Sequence, residues 1–330
     1  MKTAARATGL DLVRVAAAGA VFLFHGRLLA GISLGGPLAD YGNLGVPVFF
    51  ALSGYLVYRP FTRGPVPTVA YLARRGVRIV PAIALAMIGI GMLLPAQLPW
   101  LFVVLWSLCV EAMFYLCLPL FARLAGRHEL AALALLTGPS ILYALFMGNL
   151  DLPRMLLATP VYAPGWWWAF APGMALALLE RDHPGLLRPA PLLAAALALL
   201  CAEVVVLYQL PASEAEFWRS GLLVLGAVAF MAGALHWHPA RGGALAALAA
   251  DISYPCYLWH APILAALAGA GGGLLVLGFA AILTIVASSV SVLLVERPFR
   301  AFWAHSGTEL RAQARRAVPV PGRRALEVSA

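Results

Sequence analysis

The chain has few charged residues: they make up 11% of its 330 residues, whereas hydrophobic residues make up 62%, and the mean hydropathy is +0.88. A soluble domain carries roughly 25% charged residues, so this shortage excludes an ordinary soluble protein. We therefore interpret the sequence as a polytopic membrane protein, with the lipid bilayer as its main surrounding.

Cysteine is also scarce, and histidine forms no obvious cluster. The four cysteines all fall in apolar segments: Cys109, Cys117, Cys201 and Cys256. Without paired metal-ligand spacing they predict buried thiols rather than disulfides or zinc ligands. His236 and His238 form no convincing ligand set either, so we expect no metal.

No basic module interleaved with aromatic residues is present, so we expect no nucleic-acid partner. The chain has 23 Lys and Arg but only 14 Asp and Glu. In a membrane protein this basic excess indicates the topology and an attraction to anionic lipid.

Apolar runs separated by Arg, Pro or Gly predict an all-α bundle of about ten spans. Their approximate limits are 9–29, 43–61, 79–97, 101–122, 129–148, 165–180, 189–209, 220–237, 245–268 and 273–295.

The arginines fall mainly on one side of this predicted topology. If the N-terminus is cytoplasmic, only Arg27, Arg154 and Arg219 lie outside. The positive-inside rule then places both termini in the cytoplasm, which suits a multi-pass protein of the inner membrane. We expect a transmembrane domain over residues 1–304 and a flexible basic cytoplasmic tail over residues 305–330.

The first predicted span carries ionisable residues that a membrane helix should lack, namely Asp11, Arg14 and His25. The eleven-residue step from Arg14 to His25 is about three helical turns, so both lie on one face roughly 16 Å apart. Ionisable groups are costly in a span unless they face a protein interior or a water-filled cavity, which makes them candidate functional residues. The alternative is that Asp11 pairs with Arg14 near the headgroups while His25 reaches the opposite interface.

Three arginines, Arg74, Arg75 and Arg78, precede the third predicted span. Arg75 and Arg78 are three residues apart and project from one helix face. Ordinary membrane anchoring explains such a cluster. Guanidinium forks also bind phosphate bidentately, so a phosphorylated ligand at this cytoplasmic end is the second interpretation.

The fourth predicted span places Glu111 near mid-bilayer, with Ser107 one turn before it and Tyr115 one turn after it. A carboxylate at this depth must be protonated or paired. Arg14 and His25 are its candidate partners.

Two other predicted spans contain polar candidates. Tyr257 and His260 lie in the ninth span, where a lone histidine is more often a hydrogen-bonded structural residue than a catalytic one. Ser53 lies in the second span beside Gly54, which allows close helix packing. Ser53 alone does not indicate a nucleophile, because a membrane serine usually bonds its own helix backbone.

Together these motifs resemble the acyltransferase-3 superfamily of bacterial membrane acyltransferases. The segments that carry the resemblance, in order between residues 10 and 298, are LDLVR…FH, GVPVFFALSGYL, RRGVRIVP, WSLCVEAMFY, and SYPCYLWH with ERP. The resemblance implies a helical enzyme of about ten spans. Such enzymes move an acyl group, often acetyl, from cytoplasmic acyl-CoA to a hydroxyl, typically of a sugar or a glycosylated acceptor.

The resemblance also implies catalytic roles. Arg14 and His25 match the family's pattern of arginine, ten-residue spacer and histidine, and His25 would be the general base for the acceptor hydroxyl. Glu111 would orient or charge-balance the site. His260, in the late YLWH motif, would have a positioning role.

Arg75 and Arg78 match the family's RXXR motif, and with Arg74 they are expected to contact the CoA phosphates. The residues expected to contact substrate are Asp11, Ser53, Trp106, Ser107, Tyr115, Tyr257 and His260. The competing function is a transporter or flippase, in which Arg14 and Glu111 join His25 in a substrate or proton pathway.

Overall fold

The computed structural model describes residues 8–31, 40–148, 160–209, 212–235, 237, 243–270 and 273–303. These residues are almost entirely helical and contain no β-strand, so the all-α prediction is confirmed. The predicted tail over residues 305–330, together with His236 and His238, lies outside the described residues.

Ten α-helices occur within the described residues, and most are joined by short turns or 3₁₀ segments. They are α1 Thr8–Ala30, α2 Gly45–Tyr58, α3 Thr68–Leu93, α4 Leu98–Ala125, α5 Glu129–Gly148, α6 Trp167–Asp182, α7 Pro189–Gln209, α8 Ala212–Gly233, α9 Gly243–Leu267 and α10 Leu274–Ser291. A π-helical turn, Val292–Glu296, follows α10.

Six helical stretches of the described chain are long and apolar enough to cross a membrane. They are Thr8–Ala30, Gly42–Arg63, Thr68–Leu93, Pro95–Ala125, Glu129–Met147 and Leu274–Trp303. Two shorter apolar stretches, Pro189–Glu203 and Ser220–Gly233, lie in α7 and α8. On α4, the exposed residues Leu116, Leu120 and Leu124 recur every four positions, which produces an apolar outer face suited to lipid.

α3 begins at Thr68, well before the limit of residue 79 expected from hydropathy. Charged arginines end a hydropathy window, but arginine and alanine both favour helix, so the helix continues through them. Its 26 residues span about 39 Å, more than the roughly 30 Å of a bilayer core. The arginines therefore lie inside a continuous helix rather than before it.

α2 lies in the most deeply buried of the six apolar stretches: 67% of an 18-residue segment of Gly42–Arg63 is buried. Gly54 and Gly173 allow the backbones of α2 and α6 to touch. A Cβ atom on Gly54 would overlap the carbonyl oxygen of Phe170, and one on Gly173 would overlap that of Ala51. The close packing predicted for Gly54 is therefore present.

The C-terminal end of α2 is fixed by carboxylates from two neighbouring helices. The hydroxyl of Tyr55 donates to Glu180 Oε2 at 2.9 Å, and Arg59 donates to Glu180 Oε1 at 2.5 Å. The hydroxyl of Tyr58 donates to Glu129 Oε1 at 2.6 Å. These bonds connect α2 to α6 and α5 at one end of the bundle.

The cysteine prediction is half right. All four thiols are free, but Cys109, Cys117 and Cys201 are exposed on the outside of the bundle, and only Cys256 is partly buried. Hydropathy indicates that a residue avoids water, but it does not distinguish a side chain that faces lipid from one that faces protein.

Candidate active site

A cavity of about 70 Å³ lies among α1, α2, α3, α4 and α9. Most of the predicted site residues line it: Arg14, Ser53, Arg75, Arg78, Ser107, Glu111, Tyr115 and Tyr257. Four of these helices follow one another along the chain and α9 comes more than a hundred residues later, so the packing of the bundle assembles this group of side chains.

The charged groups of the cavity are three arginines, Arg14, Arg75 and Arg78, and one carboxylate, Glu111. Arginine stays protonated in proteins, so its charge is permanent. The cavity is therefore positively charged, and its chemistry suits an anionic ligand.

Glu111 is held by hydroxyl groups. Ser53 Oγ donates to Glu111 Oε1 at 2.5 Å, and the hydroxyl of Tyr115 donates to the same oxygen. The expected partner was Arg14 or His25, yet the hydrogen bonds described for this carboxylate come from hydroxyls. Arg14 shares the cavity with Glu111, whereas His25 does not line it.

The guanidinium of Arg75 lies against two tyrosine rings. Its Cζ is 5.5 Å from the centre of the Tyr115 ring and 5.7 Å from that of Tyr71. The buried Nε of Arg75 has no hydrogen-bond partner in the part of the chain that the structure describes. In the described chain, the guanidinium of Arg75 thus contacts two tyrosine rings.

Ser107 and Tyr257 connect α4 to α9 at the cavity wall. Ser107 Oγ lies 2.8 Å from the hydroxyl of Tyr257, and the two hydroxyls lie within hydrogen-bond distance of the carbonyl oxygen of Val104, at 3.3 and 3.1 Å. The ring of Tyr257 contacts Phe49, which also lines the cavity, and His260, which does not line it. Tyr257 therefore separates the cavity from the histidines.

His25 and His260 form a pair beyond this wall. Their rings meet edge to face with centroids 4.8 Å apart, and His260 Nε2 lies 3.2 Å from His25 Nδ1. His260 is buried, with Nδ1 at 2.8 Å from the carbonyl oxygen of Tyr257 and 3.2 Å from that of Cys256. His25 Nδ1 is also 3.0 Å from the carbonyl oxygen of Val21.

The hydrogen-bond network assigns the tautomers of the two neutral imidazoles. A carbonyl oxygen only accepts, so Nδ1 of His260 carries the proton and its Nε2 is an acceptor. His25 Nδ1 then carries a proton, because its neighbours, Val21 O and His260 Nε2, are both acceptors. The lone pair of His25 is consequently on Nε2, the nitrogen a general base would use.

Three other predicted residues lie outside the cavity lining. Asp11 is buried near the start of α1, and Arg74 is exposed on α3. Trp106 packs against Phe50 and Trp166, with ring centroids 6.4 and 5.4 Å away. Their predicted contacts with substrate or CoA stay predictions.

Sequence reasoning missed two tyrosines. Tyr254 lines the cavity and donates to the carbonyl oxygen of Ile79 at 3.4 Å. Tyr71 lies under Arg75. The four-residue spacing of Tyr71 and Arg75 places them on one helix face and would have identified Tyr71.

The comparisons with known proteins bear on the whole of this arrangement. Residues 8–296 match the acyltransferase-3 family, described as an acyltransferase domain. Comparisons with curated proteins and with solved structures gave no match. The matched segment extends from the start of α1 to the end of the π-helical turn and contains every candidate site residue. With several helices able to cross a membrane, the chain therefore belongs to the acyltransferase-3 family of multi-pass membrane acyltransferases.

Proposed function

We propose that this protein transfers an acyl group, with acetyl as the best candidate, from cytoplasmic acyl-CoA to a hydroxyl of a sugar or glycosylated acceptor. The observation that carries the proposal is the cavity that brings Arg75 and Arg78 together with Glu111. The proposal also includes about ten spans in the inner membrane with both termini in the cytoplasm, as the distribution of arginines favours.

The residues of the cavity fit a phosphorylated donor. Arg75 and Arg78 provide planar forks of N–H donors that match phosphate oxygens, and Arg14 adds positive charge. Acyl-CoA is a polyanion that does not cross a bilayer, so an arginine-lined cavity near the end of the bundle that the proposed topology places in the cytoplasm is a suitable place for it to bind.

We propose that His25 is the general base. Nε2 of His25 accepts the proton of the acceptor hydroxyl while that oxygen bonds to the thioester carbonyl carbon. The carbon–sulfur bond then breaks, and His25 returns the proton to the departing thiolate of CoA. A neutral histidine suits this exchange because it accepts and releases a proton near neutral pH.

The donor must reach past the wall of Tyr257 for this transfer to occur. Arg14 and His25 are roughly 16 Å apart along α1, and the cavity of about 70 Å³ is smaller than the roughly 300 Å³ of the smallest typical ligand pockets. We infer that donor binding moves Tyr257 and opens the way to the histidine pair. The acceptor would enter from the other side of that pair.

Purified protein in lipid nanodiscs tests the proposal by binding of CoA and by slow hydrolysis of acetyl-CoA. We expect wild type to bind CoA and to release it from acetyl-CoA, and we expect His25→Ala to bind CoA without releasing it. His183→Ala, at an exposed histidine beyond α6, is the matched control and should behave like wild type. Folded wild type that binds no CoA would instead favour a transporter or flippase.

A further inference from the structure

Arg75 differs from other arginines of the bundle in how its charge is balanced. Arg59 and Arg63 approach Glu180, and Arg181 approaches Glu129, all within ion-pair distance. Within the described residues, Arg75 forms no such pair, and its Nε lacks a hydrogen-bond partner. No carboxylate of the described chain therefore forms a direct ion pair with Arg75, although Glu111 lines the same cavity.

Two aromatic faces hold this guanidinium instead. Tyr71 comes from the preceding turn of α3, and Tyr115 comes from α4. A cation over a tyrosine face is attracted by the ring quadrupole, more strongly where water is excluded. A contact with a ring face pairs no N–H donor with an oxygen acceptor, so the N–H donors of the guanidinium stay available to a ligand.

Both rings have fixed positions. Tyr71 is only 2% exposed, and its ring meets Phe61 edge to face with centroids 5.1 Å apart. The ring of Tyr115 is fixed through its hydroxyl, which donates to Glu111. The same tyrosine thus contacts the arginine through its face and the carboxylate through its hydroxyl.

The hydroxyl of Tyr71 has no hydrogen-bond partner within the described chain, although it is buried. A buried hydroxyl without a partner costs free energy, so this hydroxyl does not explain why the ring is placed there. The contact of the ring face with Arg75 does provide an explanation.

We propose that Tyr71 is a positioning residue that, together with Tyr115, holds the guanidinium of Arg75 so that its N–H donors face a phosphate group of the acyl donor. The inference rests on the proposed function, because it takes a CoA thioester as the ligand. It adds Tyr71, which was not among the site residues predicted from the sequence. It also assigns the positioning of Arg75 to the aromatic face of Tyr71 rather than to its hydroxyl.

The test is equilibrium binding of CoA to full-length protein in nanodiscs, combined with steady-state kinetics on acetyl-CoA. Tyr71→Leu should weaken CoA binding and raise KM for acetyl-CoA about 3- to 30-fold, the range of a desolvated cation–π contact. The kcat at saturation should change less than about twofold, since the reacting groups are untouched. Tyr71→Phe keeps the ring face and should bind CoA like wild type.

Phe121→Leu is the packing control. Phe121 is buried like Tyr71, and in the described chain its ring packs on Tyr58 and Trp167 rather than on an arginine. Its loss should lower thermal stability without changing CoA affinity. If Tyr71→Leu does not fold, phenylalanine analogues with increasing ring fluorination at position 71 keep the volume, and CoA affinity should fall stepwise as the ring quadrupole weakens.

The outcomes separate the two proposals. If wild type binds CoA and Tyr71→Leu or the fluorinated series binds it equally well, the positioning role is overturned while the proposed function stands. If Tyr71→Phe loses as much affinity as Tyr71→Leu, the hydroxyl contacts the donor and the role of the ring is wrong. If folded wild type binds no CoA, both proposals fail.

Discussion

Nδ1 of His25 and Nε2 of His260 lie 3.2 Å apart, although 235 residues separate them in the sequence. His260 is oriented by two backbone carbonyls of α9. Because those carbonyls fix its proton on Nδ1, its Nε2 is an acceptor that keeps the proton of His25 on Nδ1. The buried His260 thus helps to keep the lone pair of the proposed base on Nε2 of His25.

We expect His260→Ala to lower kcat about tenfold, less than the 10² to 10⁴ expected for loss of the base itself in His25→Ala. Without His260, the carbonyl oxygen of Val21 is the remaining acceptor that holds the proton of His25 on Nδ1, so the ring and its tautomer are less firmly fixed. KM for acetyl-CoA should stay the same, because neither histidine lines the cavity. His260→Asn keeps a side-chain acceptor and should recover part of the rate. An unchanged kcat in His260→Ala would show that the two histidines form only a packing contact.

Replacement of Glu111 by Gln should separate catalysis from donor binding. Glu111→Gln keeps the volume and removes the negative charge from a cavity that holds three arginines, so CoA should bind at least as tightly as to wild type. We expect kcat to fall about tenfold or more if the carboxylate orients or balances the site. Calorimetric titration with CoA and initial rates measure the two effects, and a weaker CoA affinity in Glu111→Gln would contradict this electrostatic argument.

Composition and periodicity predicted the all-α fold, because apolar runs of about twenty residues have few other solutions in lipid. Most of the site residues predicted from the sequence also line the cavity. The limits of α3 could not be predicted from hydropathy, since Arg74, Arg75 and Arg78 end an apolar window without ending a helix. Hydropathy also did not reveal which cysteines face outward, because it does not distinguish a side chain that faces lipid from one that faces protein.

The contacts of individual site residues depend on how the helices pack. The sequence predicts which span contains Glu111, His25 or His260. It does not predict how those spans are aligned and rotated relative to one another. It therefore suggested Arg14 or His25 as the partner of Glu111, whereas the hydrogen bonds of the described chain pair His25 with His260 and Glu111 with Ser53 and Tyr115.

The carboxylates at the C-terminal end of α2 give a prediction about stability. Glu180 has a side chain only 15% exposed and accepts bonds from Tyr55 and Arg59. Glu180→Ala leaves those donors without an acceptor and should destabilise the fold by about 2 kcal/mol. Asp182→Ala, two residues further at the exposed end of α6, should have a smaller effect. Thermal unfolding in detergent compares the two, and equal unfolding temperatures would show that the network does not stabilise the bundle.

Substitution of lysine for Arg75 or Arg78, two of the three arginines that line the cavity, should change KM in a way that ordinary membrane anchoring does not predict. Arg75→Lys and Arg78→Lys keep the positive charge but lose the planar fork that binds phosphate bidentately, so KM for acetyl-CoA should rise about tenfold in each. Arg75→Lys should have the larger effect, because lysine also lacks the planar guanidinium that contacts the rings of Tyr71 and Tyr115. An anchoring role depends on charge alone, and lysine satisfies it equally well.

Arg188→Lys is the control for these two variants, because Arg188 is exposed near the start of α7. It should leave KM and the amount of inserted protein unchanged. Rates over a range of acetyl-CoA concentrations, normalised to folded protein, give KM for all three variants. If Arg75→Lys and Arg78→Lys match Arg188→Lys, charge alone explains the arginines, and the donor must bind elsewhere.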